Sequence, residues 1–411
     1  MRREIVTLTL KVGYPGCFHE PVATSFFRKH VEQGAFQFDA VGTVNATLDG
    51  ATVEVNRNGL SASFTTPRAG ILLLEVTVPD TREAIPSIRF EPADGWETSI
   101  DGSEFVTADR DEFQHEPELT VPHDLVEFAP GRYDASCEVF AYIEIESRSA
   151  PTLHVGESIP EMENRNATHF EQSTALTQTE PGHWRTPLPL AFRYASVESD
   201  TPVVVTCQSV TNGAILRGMF NADEELDYIW KQSAYTLHLC NRKFFLDGIK
   251  RDRLPWLGDL AISLMANAYT FADPMPVRRT LAAIGRAGIK EKHLNGIIDY
   301  TLWYFICHDK YQLYFGDRGF LVQQYPLIRE ILHDIIAIAE SNGGLLPTGS
   351  GWCFIDWLKM EKDTALQMLY HWALLAAAEL ARRLEDVELS RLCHEKAAAL
   401  KARLIDSAYD R

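Results

Sequence analysis

The pattern of hydrophobic and polar residues changes near residue 215. Before it, short runs such as 61–66 alternate with period two, and turn pairs such as Pro130-Gly131 separate them. The denser apolar run 71–78 predicts a strand that is buried on both faces. Short strands divided by turn signals are typical of β-sandwiches, so we predict this architecture for the first half of the chain.

A second group of strands begins within the polar run 109–124. Its predicted strands include 137–146, 152–155 and 202–207, where apolar and β-branched residues are frequent. Such runs fit a pleated, half-buried surface. The first half of the chain therefore contains two β units.

From residue 217 onward, apolar residues recur at helical spacing. Asn221 followed by Glu224 has the spacing of a capping box, so we predict that Asn221 caps the first helix. Six further helices are predicted at about 257–271, 275–287, 297–312, 319–342, 362–384 and 387–408. Helices in such succession form either a closed bundle or the first part of a larger toroid.

The fold class is therefore multidomain β plus α. We predict a β-sandwich-like domain over 1–115, a second β-sandwich or jelly-roll domain over 116–216, and a helical domain over 217–411.

The net charge of −18 disfavours a nucleic-acid or anionic-membrane partner and fits a neutral ligand. No apolar stretch is long enough to predict a transmembrane helix, and the alternating run 1–10 predicts a first strand instead of a signal peptide. The seven cysteines are scattered and odd in number, which favours reduced thiols and a cytoplasmic location. The oligomeric state stays open, with a homodimer as one option.

Candidate catalytic and binding residues are most concentrated in the stretch 244–260, where three aspartates, three basic residues and a tryptophan fall within 13 residues. The residues concerned are Asp247, Lys250, Arg251, Asp252, Arg253, Trp256 and Asp259. If 247–256 is a loop, the three carboxylates can face one cleft. A general acid needs a carboxyl group with a raised pKa, so the stretch predicts one wall of a sugar-binding active site. The alternative is a salt-bridged loop that caps helix ends, with Asp259 beside the positive end of a helix dipole.

Two further clusters pair carboxylates with aromatic rings. Asp299 and Trp303 lie four residues apart and share a helical face. A glycine-rich stretch precedes Trp352, Asp356 and Trp357. Aromatic rings stack on sugar faces and carboxylates bind hydroxyl groups, so we predict that these five residues bind carbohydrate. Ordinary core packing is the alternative for both clusters.

Motifs for other chemistries are missing from the sequence. There is no H-E-x-x-H motif, no G-x-G-x-x-G after a strand, no Walker A loop and no G-x-S-x-G elbow. The histidines show no metal-ligand spacing. We therefore predict neither a metal nor a cofactor.

The stretch 247–259 resembles the bacterial α-L-rhamnosidases of glycoside hydrolase family 78, in a variant Lys-Arg-Asp-Arg form of their motif. Other segments follow the order found in that family: 154–158, 192–194, 220–230, 299–303, 314–317 and 354–357. The resemblance covers roughly residues 120–411. It implies β-sandwich units followed by an (α/α)6 toroid, and a reaction that inverts the anomeric centre.

The resemblance also suggests roles for the residues of the motif. The common form has Glu directly after Arg-Asp, and that Glu is the general acid; here Arg253 follows instead. Asp252 is therefore the first candidate for the acid and Asp259 the second. By the same resemblance, Asp247, Arg251 and Trp256 match sugar-binding positions.

The resemblance predicts a glycosidase that releases terminal α-L-rhamnose from glycans or plant glycosides. A full toroid has twelve helices and carries the general base in its second half, so about seven helices suggest a truncated catalytic domain. The alternatives are a non-catalytic carbohydrate-binding protein or inactive remnant, and a toroid glycosidase that acts on another sugar.

Overall fold

The structure is a computed structural model in which two compact units, Met1–Glu116 and Pro117–Arg411, are described separately. The residues that it describes are 4–6, 23–58, 61–78, 87–90, 95–99, 102–103, 105–107, 110–111, 119–164, 175–285, 289, 293–349, 352–358 and 361–408. Most of the predicted first strand over 1–10 and one cysteine, Cys17, lie outside these residues. The division of the chain into three domains stays a prediction.

The first unit consists of two six-stranded antiparallel sheets, ordered β12-β1-β9-β3-β7-β6 and β11-β10-β2-β8-β4-β5. The strands are β1 Glu4–Val6, β2 Ala23–Val31, β3 Gly34–Val41, β4 Thr43–Leu48, β5 Ala51–Val53, β6 Asn56–Asn58, β7 Ser61–Thr66, β8 Gly70–Val78, β9 Ser87–Arg89, β10 Glu97–Ser99, β11 Val106–Thr107 and β12 Arg110–Asp111. Alternate residues of both sheets meet in one core, in which Phe38 and Phe64 pack edge to face with their ring centroids 5.6 Å apart. The unit is a β-sandwich, as predicted.

Strand β8 corrects one prediction about the core. Leu72, Leu74 and Val76 are fully buried, whereas the side chain of Ile71, on the opposite face of the strand, is 49% exposed. The run is therefore buried on one face only. The reason is that β8 lies inside its sheet, between β2 and β4, and only one face of that sheet packs on the other sheet.

The second unit begins with an eight-stranded antiparallel sheet. Its elements are β13 Leu119–His123, β14 Val126–Ala129, β15 Arg132–Glu146, β16 Thr152–Gly156, α1 Ile159–Glu163, β17 Thr177–Glu180, β18 His183–Arg185, β19 Leu190–Glu198 and β20 Val204–Thr211. The long strand β15 pairs with β14, β18, β19 and β20. The predicted Pro130-Gly131 turn joins β14 to β15. Gly131 has φ +67°, and a Cβ there would lie 2.6 Å from the carbonyl oxygen of Val197.

Seven longer helices follow in the described part of the chain, in the predicted order. They are α2 Glu224–Cys240, α3 Leu257–Tyr269, α4 Pro274–Gly285, α5 Ile298–Phe315, α6 Arg318–Ser341, α7 Asp363–Arg383 and α8 Val387–Ala408. The β-sandwich of the first unit, and the sheet followed by helices in the second, confirm the predicted fold class of multidomain β plus α. The predicted cap of α2 is wrong, because Asp223 and not Asn221 accepts a hydrogen bond from the amide of Leu226, at 2.9 Å. None of the described helices is both long and apolar enough to span a membrane.

Candidate functional site

The segment between α2 and α3 is a loop, as the site prediction requires. We call residues 247–253 the acid loop. The amide of Asp247 donates to the carbonyl of Leu254 at 3.0 Å, and the amide of Leu254 donates to Oδ1 of Asp247 at 3.0 Å. These two hydrogen bonds close the base of the acid loop. Asp259 follows in the first turn of α3, so the three predicted aspartates lie on adjoining pieces of backbone.

The structure brings the carboxyl groups of Asp247, Asp252 and Asp259 close enough for their charges to interact. Burial, together with the neighbouring carboxylates of Asp252 and Asp259, raises the pKa of Asp247 to about 7, although hydrogen bonds from the amides of Leu254 and Gly248 act to lower it. Burial also raises the pKa of Asp259, with a contribution from Asp252. A carboxyl group that keeps its proton near neutral pH is what a general acid requires.

Arg251 and Trp256 differ strongly in exposure. The side chain of Arg251 is 72% exposed, and its Nε lies 3.5 Å from Oδ1 of Asp252. The side chain of Trp256 is buried and packs edge to face on Tyr300, with ring centroids 5.8 Å apart. Arg251 is therefore available to a ligand as the structure stands, whereas Trp256 supports the ring of Tyr300.

Tyr300 is a site residue that the sequence reasoning did not select. Its hydroxyl donates to Oδ2 of Asp259 at 3.3 Å. The ring also lies against Gly258, where a Cβ would be 2.6 Å from Cε1 of Tyr300. The sequence offered one indication that Tyr300 belongs to the site, which is that it directly follows the predicted site residue Asp299.

Asp299 joins the helical core to the second aromatic cluster. It is 1% exposed, and its two oxygens accept hydrogen bonds from the amides of Phe354 and Ile355 at 2.8 and 3.1 Å. Burial raises the pKa of Asp299, while these two amides lower it. Ile355 has φ +44°, a conformation that L-residues rarely adopt without support. In this structure the Asp299 carboxylate holds that strained loop in place.

The loop 352–358 presents an aromatic surface. The ring of Phe354 lies 5.9 Å from Trp352 and 5.1 Å from Trp357, and Trp357 is 71% exposed. Phe354 also packs edge to face on Tyr300 at 6.0 Å, which links this loop to the carboxylates. Asp356 is exposed and accepts a hydrogen bond from the amide of Leu358 at 2.8 Å.

A lysine that sequence reasoning missed supports the same loop from behind. Nζ of Lys362 donates to the carbonyl oxygens of Cys353, Phe354 and Asp356 at 3.1, 2.7 and 2.9 Å. The sequence does not indicate this contact, because any lysine after a loop could equally point into solvent. The contact forms because the loop folds around the ammonium group.

Trp303 pairs with a different ring. It packs edge to face on Trp372 of α7, with centroids 5.6 Å apart, and Trp372 is 41% exposed. Trp303 and Asp299 share helix α5, but Asp299 is committed to the loop 352–358 whereas Trp303 faces α7. The predicted site residues therefore fall into three groups. The first is the acid cluster of Asp247, Asp252 and Asp259 with its neighbours Arg251 and Trp256. The second is the loop 352–358 with Asp299, and the third is the Trp303–Trp372 pair.

Among the residues that the structure describes, no three His, Cys, Asp or Glu side chains are grouped as metal ligands. The six described cysteines are free: Cys137, Cys207, Cys240, Cys307, Cys353 and Cys393.

Comparison with known proteins adds family information. Residues 217–404 match the model of the bacterial alpha-L-rhamnosidase six-hairpin glycosidase domain. No curated protein sequence matches the chain.

Three solved structures share the fold. A GH78 family rhamnosidase of Bacillus sp. GL1 matches 100% of this chain at 15% identity and TM-score 0.57, over 55% of its own length. A rhamnosidase from Klebsiella oxytoca with rhamnose bound matches 92% of the chain at 21% identity and TM-score 0.58, over 72% of its length. An alpha-L-rhamnosidase from Dictyoglumus thermophilum matches 95% of the chain at 14% identity and TM-score 0.59, over 56% of its length.

The chain thus spans between about half and about three quarters of the length of these structures. The resemblance inferred from the motif 247–259 is confirmed, both by the family model and by the shared fold. Residues 217–404 are thus similar to the bacterial alpha-L-rhamnosidase six-hairpin glycosidase domain, and the chain shares its fold with solved rhamnosidases of family GH78.

Proposed function

We propose that this chain releases terminal α-L-rhamnose from glycans or glycosides by an inverting acid/base reaction. The observation that carries the proposal is the cluster of Asp247, Asp252 and Asp259, in which burial and mutual charge raise the pKa of Asp247 to about 7. The cluster lies in a domain that matches a rhamnosidase family model. The raised pKa of Asp247 supports the presence in the cluster of a carboxyl group that retains a proton until substrate binds.

In this proposal Asp252 is the general acid and Asp259 the second candidate. The acid donates its proton to the leaving glycosidic oxygen while a second carboxylate takes a proton from the attacking water, so the C–O bond to the aglycone breaks as the bond to water forms. Arg251 is exposed beside Asp252, and this exposure supports a role in binding sugar hydroxyl groups. The exposed ring of Trp357 offers a surface for the apolar face of the sugar.

The test is hydrolysis of an aryl α-L-rhamnoside, with the anomer of the first product followed by NMR. Inversion requires that β-L-rhamnose appears first, and an initial α-anomer contradicts the mechanism. A panel of other aryl glycosides checks the sugar, since a higher kcat/KM on another sugar would replace rhamnose as the substrate.

The acid is tested by substitution. Asp252→Asn should lower kcat by about 10²- to 10⁴-fold, because the amide cannot protonate the leaving oxygen. Asp259→Asn should lower it less, and Asp200→Asn, an exposed carboxylate outside the cluster, should leave it unchanged. Undiminished rates for both cluster variants would remove the acid assignment. Rhamnose binding without hydrolysis by the wild type would favour a non-catalytic carbohydrate-binding protein.

We also propose a cytoplasmic location. The free state of the six described cysteines supports it, because disulfides persist mainly in oxidising compartments. Fractionation of the source cells tests this location, and recovery of the protein outside the cytoplasm contradicts it.

A further inference from the structure

Arg253 occupies the place in the motif where the resemblance leads one to expect an acid, yet its side chain turns to the β-sheet of the second unit. It is buried, its Nε donates to the carbonyl of Ile249 at 2.7 Å, and its Nη1 donates to the carbonyl of Pro189 at 3.2 Å. The guanidinium also lies 4.8 Å from the centroid of the Phe140 ring on β15. The side chain thus bridges the acid loop and the sheet.

The Phe140 ring receives a second arginine. The guanidinium of Arg242 lies 4.7 Å from the same ring, and its Nη1 donates to the carbonyl of Val210 at 2.5 Å. Ile249 of the acid loop joins the same apolar cluster as Phe140 and Val210. The sheet is therefore the surface against which the acid loop is packed.

The backbone beside Arg253 is in an unfavourable conformation. Asp252 has φ +60° and Arg253 has φ +55°. The left-handed region costs an L-residue roughly 1–2 kcal/mol, so two consecutive residues hold it only when their surroundings impose it. The contacts of Arg253 with Ile249, Pro189 and Phe140 supply such a restraint.

A second contact attaches the acid loop to helix α1, which lies between strands β16 and β17 of the same sheet. Nζ of Lys250 lies 2.6 Å from Oε1 of Glu161 on α1, and the two side chains are only 14% and 17% exposed. An ion pair with this little exposure is screened less by solvent than a surface pair. The acid loop is thus held on both sides of Arg251 and Asp252, the residues that the proposed mechanism uses.

We propose that Arg253, assisted by Lys250, is a positioning residue that latches the acid loop to the β-sheet and so directs Asp252 toward Asp247 and Asp259. This inference rests on the proposed function, because it concerns the placement of the proposed acid. The β-sheet then takes part in catalysis indirectly, by fixing the backbone of the loop.

Arg253→Met tests the latch, with Arg242→Met as its matched control. Both variants remove a guanidinium from the Phe140 ring, but only Arg253 belongs to the acid loop. A displacement of about 1 Å at a reacting group can cost about 100-fold in rate, so we expect kcat of Arg253→Met to fall by about 10- to 100-fold with KM nearly unchanged. Arg242→Met should keep kcat within about twofold. Equal kcat values for the two variants would overturn the proposal.

A second pair of variants serves if Arg253→Met does not fold. Glu161→Gln loosens Lys250, whereas Glu163→Gln on the same helix affects only the ion pair with Arg132, at 2.6 Å. We expect a severalfold lower kcat for the first and no change for the second. No difference between the two contradicts the role of Lys250.

Amide hydrogen exchange separates this inference from the proposed function. The amides of Asp247 and Leu254 close the acid loop, so they should exchange at least about tenfold faster in Arg253→Met than in Arg242→Met, with or without enzyme activity. Lack of hydrolysis by the wild type counts against the proposed function alone. Unchanged exchange in Arg253→Met counts against the latch alone.

Discussion

The hydroxyl group of Tyr300 donates a hydrogen bond to Oδ2 of Asp259 at 3.3 Å. The residue before it, Asp299, binds the loop that carries Trp352 and Trp357. Two adjacent residues of one helix therefore connect the acid cluster to the aromatic surface, which makes the start of α5 the central support of the candidate site.

Tyr300→Phe should raise the pKa of Asp259. The tyrosine hydroxyl stabilises the charged carboxylate, and its loss leaves burial as the dominant effect. NMR titration of the Asp259 side chain measures the shift. Tyr304→Phe is the control, because Tyr304 is fully buried one turn later on the same helix and should leave the Asp259 pKa unchanged. A fall of the Asp259 pKa in Tyr300→Phe would contradict the prediction.

Asp299→Ala should destabilise the second unit by about 2–4 kcal/mol, because the amides of Phe354 and Ile355 lose their acceptor. Urea unfolding followed by tryptophan fluorescence measures the change. Asp356→Ala, in the same loop but exposed, should cost less than about 1 kcal/mol. Equal losses in the two variants would show that Asp299 does not hold the loop.

Trp357→Ala should weaken rhamnose binding by about tenfold, the equivalent of about 1.4 kcal/mol, because it removes the exposed ring beside Phe354. Isothermal titration with rhamnose measures the Kd. The Kd of Trp372→Ala tests whether the Trp303–Trp372 pair binds rhamnose instead. A weaker Kd in Trp357→Ala alone places the sugar on the loop 352–358, and a weaker Kd in Trp372→Ala alone places it on the pair and refutes the prediction.

Glu138 and Asp134, on the same strand, should give opposite pH dependences of stability. Burial and the charges of Glu157 and Glu161 raise the pKa of Glu138 from its ordinary 4.5 to about 7, partly offset by Lys250 and Arg193. The stability that protonated Glu138 contributes is therefore complete below pH 4.5 and is lost as pH rises through 7. Glu138→Gln should remove this loss and be more stable than the wild type at pH 8.

Asp134 provides the control of opposite sign. A hydrogen bond from Arg193 lowers its pKa below the ordinary 3.8, so its contribution is present above that pH and disappears as the carboxylate becomes protonated. Asp134→Asn should be less stable than the wild type at pH 7, and the difference should close as the pH falls below 3.8, through the lowered pKa of Asp134. Thermal unfolding across the pH range measures both variants, and parallel curves for the two would refute the assignment.

The spacing of apolar residues predicted the architecture, because a strand buries every second residue whereas a helix buries residues three or four positions apart. It wrongly predicted that β8 is buried on both faces, because an apolar run does not show whether one or both faces of its sheet are covered. It also misplaced the cap of α2 by two residues, since both Asn221 and Asp223 are good capping residues and the chain path decides between them.

The candidate site was predicted where residues lie close together in sequence and missed where the fold joins distant segments. The aspartates of 247–259 share one loop and helix start, so their proximity followed from the motif. Lys362 contacts the site only because the loop 352–358 folds around its ammonium group. The direction of Arg253 was equally invisible, because the sheet that receives its side chain ends some 40 residues earlier in the chain.

The contact between Gly258 and the ring of Tyr300 makes these two positions interdependent. A side chain at 258 would displace the tyrosine from Asp259, and a smaller residue at 300 would make room for that side chain. We therefore expect Gly258→Ala to be tolerated much better together with Tyr300→Ser than alone. The large ring of Tyr300, which lies outside the motif 247–259, thus requires a glycine at position 258 within it.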